Sequence, residues 1–309
     1  MAAPFHLRSL QALEMAVRTG SFVAAAGQLG ITPAAVGQRV KALEDYLGVE
    51  LLVRGRGGIR PGPGLRAALP MLHQAFAALE AAADELALQR VQEIYVAAMS
   101  DVVDLWLAPR LGRFRAAHPN IRFCINGEGD APLRIGRVDC EIAFGPDAND
   151  GDADLLFHDH VVPIASPLNV ARLAAADADS RLEGFPILHL DFYRNDPAGL
   201  SWPEWVAANG VRRTAPERGM RFQRVRAALD AVAANAGLTL CGLALAAGGL
   251  AAGSIARAYP VATGRRCQHG LTARYRAETR DGPHVRRFRA WLREEGRATA
   301  AWLDAELQT

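Results

Sequence analysis

The residues of this chain that suggest chemistry most directly are the two histidines of the fragment His158-Asp159-His160. Their alternation would place both imidazoles on one face of a strand, where they could hold a metal ion. The sequence positions no third ligand, and the fragment also suits a purely structural role. No G-x-S-x-G, no G-x-x-x-x-G-K-[ST] and no G-x-G-x-x-G after a predicted strand occurs. We therefore expect no enzyme activity, no metal and no cofactor, with a metal-dependent or other α/β enzyme as the alternative.

A second group of residues suggests the reading of DNA bases. Thr32 can cap the free N–H groups of a helix, and Pro33 suits its first position. The apolar stripe of this helix is predicted to be Val36, Val40, Leu43 and Leu47. The opposite face carries small and amide side chains, which can approach a major groove closely and bond base edges. The residues expected to contact DNA here are Thr32, Pro33, Ala34, Gly37, Gln38 and Lys41, and an ordinary amphipathic surface helix is the alternative.

A short basic hairpin is predicted directly after this helix. The apolar run at 51–53 is typical of a strand, and the glycines at 57–58 can form its turn. Arg54, Arg56 and Arg60 would line the hairpin and reach phosphates and the minor groove. The charge pattern agrees, because up to residue 66 eight basic residues stand against four acidic ones, whereas the whole chain carries a net charge of only +2.

Two shorter helices are expected to position this DNA-reading helix. Leu10, Leu13 and Val17 recur at helical spacing and Gly20 ends that helix. Ser21 then caps a second helix, which Gly30 terminates. With the third helix and the hairpin, these elements predict a winged helix-turn-helix.

A heptad seam follows the hairpin. Apolar residues alternate in steps of four and three at Leu65, Leu69, Leu72, Phe76, Leu79, Ala83 and Leu86. This spacing favours a long linker helix that pairs with its copy in a dimer, and packing on its own domain is the alternative. A dimer would present two reading helices to two half-sites.

Strands and helices alternate in the rest of the chain. Strands are predicted at 94–98, 121–125 and 140–144, around a helix at 102–117. A second set follows, with strands at 187–189 and 237–241 and helices at 202–209 and 225–234. This βαβ rhythm predicts parallel sheets in two similar lobes.

Loops at the carboxyl ends of these strands are the expected place for a ligand, since helix N-termini present free N–H groups there. The candidate effector-binding residues are Ser100, Asp101, Glu128, Asp130, Arg194, Phe222 and Arg224. Each has a plainer alternative, such as Asp101 capping its own helix. Their mixed charge favours a small polar effector that bears both a carboxylate and a cationic group.

Bulk properties place the chain in a reducing compartment. The four cysteines are far apart and none forms C-x-x-C, so free core thiols are expected. No apolar run approaches the roughly 20 residues of a membrane-spanning helix, and the N-terminus does not read as a secretory signal. We therefore expect a cytoplasmic protein.

The head of the chain resembles the LysR-type transcriptional regulators. The family pattern S-F-x-x-A-A-x-x-L is matched at 21–29, and K-x-L-E-x-x-L-G-x-x-L is matched at 41–51, with the wing arginine at Arg54. The stretch 106–119 is similar to the group of glycine-cleavage and β-lactamase regulators. Two positions depart from the family, because Gly37 replaces the usual serine of the reading helix and Arg60-Pro61 replaces the Leu-Thr after the wing.

The resemblance implies an α+β multidomain fold: a winged helix-turn-helix at 1–62, a linker helix for dimerisation at 63–90, and an effector domain at 91–309. That domain would resemble a periplasmic binding protein, with lobe I at 91–162 and 272–309 and lobe II at 163–271. Crossings between the lobes are expected near 161–166 and 267–273, and a helix at 284–292 would return the chain to lobe I.

The function implied is sequence-specific, effector-modulated transcription regulation. The expected partners are double-stranded operator DNA, an unidentified small-molecule effector, a second copy of the chain in a homodimer or homotetramer, and RNA polymerase if the protein is an activator. No membrane is expected as a partner. A solute-binding protein without a regulatory role is the alternative, against which the basic head and the absent signal argue.

Overall fold

The computed structural model describes residues 6–55, 58–87, 91–127, 138–147, 151–178, 181–211 and 214–308. The chain divides into two compact units, Met1–Ala87 and Leu88–Thr309. Each unit has its own cluster of buried hydrophobic residues. The predicted division into a small head and a larger second part is therefore present.

Helices and one hairpin make up the first unit. In chain order they are α1 (Leu7–Thr19), α2 (Phe22–Leu29), α3 (Pro33–Leu47), β1 (Leu52–Gly55), β2 (Gly58–Pro61), α4 (Pro63–Arg66) and α5 (Leu69–Ala87). The side chains of Ser21 and Thr32 accept hydrogen bonds from the free N–H groups that begin α2 and α3. Left-handed glycines end the first three helices: Gly20, Gly30 and Gly48. The helix-turn-helix with its wing is thereby confirmed.

The apolar stripe of α3 packs against α1. Leu13 of α1 and Val36, Val40 and Leu43 of α3 are each at most 2% exposed. Leu47, predicted to complete the stripe, is 49% exposed because α3 ends at this residue and Gly48 turns the chain away. The prediction for Leu47 was wrong.

The predicted linker helix is two helices, α4 and α5, separated by a turn at residues 67–68. Leu65 is buried, and Leu69 and Leu72 pack against the core of the head. Further along α5, Leu79 and Leu86 are 49% and 73% exposed. The start of the heptad seam thus belongs to the head, while its later positions face solvent in the single chain.

The second unit contains two lobes. In chain order its strands are β3 (Gln92–Ala98), β4 (Ile121–Gly127), β5 (Cys140–Gly145), β6 (Ala153–Phe157), β7 (His160–Ala165), β8 (Ile187–Leu190), β9 (Met220–Phe222), β10 (Leu238–Gly242), β11 (Ala256–Arg257), β12 (Arg265–Arg266) and β13 (Gly270–Tyr275). Its α-helices are α6 (Ser100–Val102), α7 (Ala108–Ala117), α8 (Pro167–Ala174), α9 (Trp202–Asn209), α10 (Val225–Ala233), α11 (Leu243–Ala251) and α12 (Pro283–Glu306). A π-helical segment, Val103–Leu107, joins α6 to α7, and a 3₁₀ turn is formed by Val261–Thr263.

Each lobe is built on one sheet. The sheet of lobe I has the strand order β4-β3-β5-β13-β6, and that of lobe II has the order β11-β7-β10-β8-β9 with β12 also paired to β7. In lobe I, β3 pairs in parallel with β4 and β5, whereas β13 is antiparallel to β5 and β6. In lobe II, β8 is parallel to β9 and β10, whereas β7 is antiparallel to β10. The sheets are therefore mixed and not wholly parallel as predicted, because the strands that follow a crossing enter each sheet in the opposite direction.

The two crossings lie at residues 158–159, between β6 and β7, and at residues 267–269, between β12 and β13. The first was predicted too late, at 161–166, and the predicted lobe boundary at 162–163 lies about four residues too late, inside β7. Those residues form most of β7, which has paired strands on both edges and is buried along its whole length. The second crossing begins where expected, but its predicted end at 273 runs into β13.

Lobe I is completed by helices from both ends of its sequence. Trp106 is fully buried, and its indole N–H donates to Thr299 Oγ1 of α12 at 3.1 Å. The helix predicted to return to lobe I, at 284–292, is part of the 24-residue α12. The four cysteines are free thiols, and no helix in the described ranges is both long and apolar enough to cross a membrane.

Candidate nucleic-acid interface and inter-lobe site

The N-terminal half of α3 presents the face that the sequence predicted. Thr32 Oγ1 accepts from the Ala35 N–H at 3.2 Å, and this cap fixes the first turn. Thr32, Pro33, Ala34, Gln38 and Lys41 are all exposed, while the opposite face is buried against α1. The Lys41 ammonium lies 3.8 Å from Asp45, a loose surface pair. Small, amide and cationic side chains therefore share one accessible surface at the start of the helix.

Gly37 lies half-buried on the same helix. A Cβ added there would meet only ring carbons of Phe22, at 3.7 and 3.9 Å, which is ordinary contact. Packing within the head therefore does not require glycine at this position.

The wing is tied to the end of α1 through the Gly20 carbonyl. The Ile59 N–H donates to the Gly20 carbonyl at 3.2 Å, and Gly58 adopts a φ of +93° where a Cβ would come 2.8 Å from that oxygen. Arg60 is exposed on β2. Arg54 belongs to β1 opposite Ile59, but its side chain and the whole of Arg56 lie outside the described residues.

Glu44 connects α3 to the wing, a role that the sequence reading missed. Its Oε1 accepts from the main-chain N–H groups of Leu51 and Leu52, at 2.8 and 3.2 Å. The family motif at 41–51 contains this glutamate, but the motif alone does not show which groups the carboxylate contacts. The reading helix and the hairpin are thus held together by one carboxylate.

In the second unit, Asp101 joins the two lobes. It stands in the first turn of α6 in lobe I and is 5% exposed. Its Oδ2 accepts from the Val225 N–H at 2.8 Å and its Oδ1 from the Arg226 N–H at 3.0 Å, both at the start of α10 in lobe II. Asp101 therefore caps a helix of the opposite lobe and not its own.

Arg224 lies beside this contact. Its Nε is 3.5 Å from Asp101 Oδ1, and its Nη2 donates to Asp104 Oδ2 at 3.1 Å. Of the predicted effector ligands, the structure thus brings Asp101 and Arg224 together, but it pairs them with each other and with Asp104.

A second buried carboxylate, Asp159, occupies the first crossing. Its Oδ1 accepts from the N–H groups of His160 and Ala244, at 2.8 and 2.9 Å, and the Tyr193 hydroxyl donates to Oδ2 at 3.3 Å. Ala244 belongs to the first turn of α11, so Asp159 caps that helix. Burial raises the pKa of Asp159 to about 6, against the opposing effect of these hydrogen bonds.

Aromatic side chains fill the space between the lobes near Asp159. The ring of Phe144, from lobe I, lies 5.5 Å from Phe192 and 5.4 Å from Tyr193 of lobe II, measured between centroids. His269, in the second crossing, lies 6.0 Å from the same Phe144 ring. The space between the lobes is therefore lined by aromatic side chains, with the buried carboxylate of Asp159 beside them.

The remaining predicted effector residues are dispersed. Ser100 is half-buried at the start of α6, and Phe222 is half-buried at the end of β9. Arg194 is exposed and lines a separate pocket of about 230 Å³ in lobe II, together with His189, Asp191 and Arg221. Glu128 and Asp130 lie outside the described residues.

The two histidines considered as metal ligands contact different groups. His158 lies in the crossing, with Nε2 3.3 Å from Asp147, while the His160 Nε2 is 3.0 Å from the Val261 carbonyl. They do not share a strand face, because β7 begins only at His160. Among the described residues, no group of three His, Cys, Asp or Glu side chains is placed to hold a metal ion.

Two family models together match most of the chain. The model of the LysR substrate binding domain matches residues 88–297, and the model of the bacterial regulatory helix-turn-helix protein, lysR family, matches residues 7–63.

Among curated relatives, the transcriptional activator AmpR of Rhodobacter capsulatus is 33% identical over 76% of this chain and 78% of its own length. The transcriptional regulator TrpI of Pseudomonas aeruginosa is 29% identical over 94% of this chain and 97% of its own length. The matches to AmpR confirm the resemblance to the β-lactamase regulator group.

Among solved structures, the effector domain of AmpR from Pseudomonas aeruginosa superposes with a TM-score of 0.54 at 27% identity, covering 68% of this chain and 98% of that one. CrgA of Neisseria meningitidis, a LysR-type regulator, gives a TM-score of 0.51 at 22% identity over 95% of this chain and 99% of that one, which shows the shared fold.

Proposed function

The chain belongs to the LysR family of transcriptional regulators, and on that premise we propose that it reads its operator with the exposed start of α3 and the adjoining wing. As a family member it is a DNA-binding regulator with an effector-binding domain and not an enzyme. The proposal assigns residues 1–62 to DNA binding, 63–90 to a dimerisation linker and 91–309 to effector binding.

The observation that carries the DNA proposal is the composition of the exposed face of α3. Gln38 and Lys41 project from a helix whose first turn is fixed by Thr32, and Pro33 and Ala34 leave room for close approach. An amide can form two hydrogen bonds with the major-groove edge of adenine, at N6 and N7, and a cation can reach guanine or a phosphate. Arg54, Arg56 and Arg60 of the wing would add sequence-independent phosphate contacts.

Two half-sites are expected because α5 offers a surface for a second copy. Leu79 and Leu86 lie on the heptad seam and face solvent in the single chain. Burying them between two α5 helices would remove apolar surface from water and place two reading helices on a dyad-symmetric site. A homodimer is the proposed form, with a homotetramer as the alternative.

The effector is proposed to be a small polar molecule held between the lobes. The cationic group predicted for the ligand needs a free Asp101 carboxylate, but both oxygens of Asp101 are already bonded to N–H groups of α10. An ammonium would have to compete with these bonds. We therefore propose an inter-lobe effector that carries an anionic group, and the cationic group predicted from the sequence no longer has the support of Asp101.

Two further assignments follow from the family. The relatives include transcriptional activators such as AmpR, which favours activation through contact with RNA polymerase for this chain as well. Because its operator DNA is in the cytoplasm of a bacterium, that is the proposed location.

Selection from a random pool of DNA duplexes tests the function directly. Full-length protein should enrich a dyad-symmetric sequence, and binding to it should weaken steeply with salt, by about 0.9 in log–log slope for each phosphate contact. Recovery of unenriched DNA after repeated rounds would reject sequence-specific reading.

A further inference from the structure

Both helices of lobe II that begin at the inter-lobe space have their N-termini occupied by carboxylates from outside the lobe. Asp101, from lobe I, bonds the first N–H groups of α10. Asp159, from the first crossing, bonds the first turn of α11. A helix N-terminus carries a partial positive charge and free donors, and is for that reason a site for anions. In this chain both sites are filled by the protein itself.

The two carboxylates differ in what they connect. Asp159 directly precedes β7 of lobe II in the chain. Its contact with α11 is therefore expected to persist when the lobes move apart. Asp101 reaches α10 across the inter-lobe space, from a residue 124 positions earlier in the chain. Its contact exists only while the lobes are together.

Asp101 does not cap its own helix, α6. The N-cap position of α6 is Met99, whose side chain makes no capping bond, and both oxygens of Asp101 are directed to α10. The neighbouring Arg224–Asp104 pair spans the same gap in the same sense, with the cation on lobe II and the carboxylate on lobe I. Two polar contacts from α6 and the π-helical segment after it therefore hold the start of α10.

We propose that Asp101 is an intramolecular latch, which keeps the lobes closed without effector by occupying the N-terminus of α10 as a ligand anion would. Closing of the latch and binding of an anionic group at Val225 and Arg226 are then competing events. The apparent affinity for an effector is the intrinsic affinity multiplied by the fraction of molecules in which Asp101 has left α10. The regulatory meaning of the latch rests on the proposed function, but the contact itself does not.

Hydrogen exchange of the full-length protein, resolved to single residues, tests the latch. In the wild type the amides of Val225 and Arg226 should exchange slowly, because both donate to a buried carboxylate. Asp101→Ala should accelerate both by about tenfold or more. Sodium acetate, the probe anion, should slow them again in this variant relative to sodium chloride of equal ionic strength, and should leave the wild type unchanged.

The matched control is Asp230→Ala, which removes an exposed carboxylate from the same helix; Asp230 pairs with the Arg226 side chain and not with its amide. This variant should exchange like the wild type. Asp101→Asn provides a milder change if the alanine variant folds poorly, since its amide oxygen can still accept one of the two bonds, and it should give an intermediate acceleration.

Unchanged protection of Val225 and Arg226 in both Asp101 variants would overturn the latch. So would an acetate effect that is equal in the wild type and in Asp101→Ala. The measurement uses no DNA, so a failure to enrich an operator would count against the proposed function and leave this result standing.

Discussion

Glu44 and Leu51 are joined by a hydrogen bond of 2.8 Å between the Oε1 atom of the first and the main-chain N–H of the second. The same oxygen also accepts from Leu52, so one carboxylate near the end of α3 fixes the start of the wing. The relative placement of the reading helix and the basic hairpin depends on this side chain.

Glu44→Ala should therefore destabilise the head and loosen the wing. Loss of two bonds from a charged acceptor to buried main-chain donors is expected to cost about 2 kcal/mol. Native-state hydrogen exchange of the core amides of α3 measures this in the full chain. Glu50→Ala, at an exposed glutamate of the same segment, serves as the control and should change stability by less than about 0.5 kcal/mol. Equal effects of the two substitutions would contradict the role given to Glu44.

Gly37→Ala should stabilise the head while altering DNA binding. The added methyl group meets only the Phe22 ring at ordinary distance, and alanine is favoured over glycine inside a helix by about 1 kcal/mol. Gly27→Ala is the matched control, because Gly27 also lies in a helix, α2, with no atom within 4 Å of an added Cβ. Both variants should resist urea better than the wild type.

Operator affinity separates the two glycine variants. Only Gly37→Ala is expected to change it, since only Gly37 belongs to the DNA-reading helix. If neither variant alters binding, Gly37 is not a point of close approach to DNA.

Leu79→Glu should dissociate the dimer. Leu79 lies on the heptad seam of α5 and is 49% exposed in the single chain, so a charge there disturbs the proposed pairing surface without entering the core of the head. Leu72 is less suitable because it packs on that core. Met71→Glu, on the same helix but off the seam and 71% exposed, is the control.

Sedimentation velocity should show monomer for Leu79→Glu and wild-type mass for Met71→Glu. A Leu79→Glu protein that sediments as the wild type would place dimerisation elsewhere.

The stability of the second unit should depend on pH through Asp159. Its folded pKa of about 6 lies above the unfolded value of about 3.9, so the folded state binds the proton more tightly. The stabilisation from this proton is fully present below about pH 4 and is lost as pH rises through 6. Relative to Asp159→Asn, which does not titrate, the wild type should lose about 2 kcal/mol between pH 4.5 and 7.5.

Urea unfolding followed by tryptophan fluorescence measures this, because all five tryptophans lie beyond residue 87 and therefore report on the second unit. A stability difference between wild type and Asp159→Asn that stays constant over this pH range would show that Asp159 does not titrate there.

The sequence predicted those features whose cause is local. Ser21 and Thr32 cap helices that begin one residue later, and the spacing of Val36, Val40 and Leu43 determines which face of α3 is buried. These relationships extend over a few residues, so composition and periodicity are sufficient to find them.

The contacts that close the second unit were not predictable in the same way. Asp101 meets Val225 across 124 positions and Asp159 meets Ala244 across 85, and no local pattern tells which helix start a carboxylate will reach. The sequence reading therefore selected Asp101 as a ligand contact, while the structure gives it a partner inside the protein. The first crossing was misplaced for a related reason, since a strand buried along its whole length cannot be told from a connecting segment by alternation.

The central claim, that α3 reads base sequence, is tested most directly by Gln38→Ala on the enriched duplex and on random DNA. We predict a loss of about 1–3 kcal/mol in binding to the enriched duplex and little change on random DNA, because an amide at a base edge contributes only at its own base. Arg60→Ala should instead weaken both DNAs alike and reduce the salt slope by about 0.9. Equal losses for Gln38→Ala on both duplexes would contradict the claim.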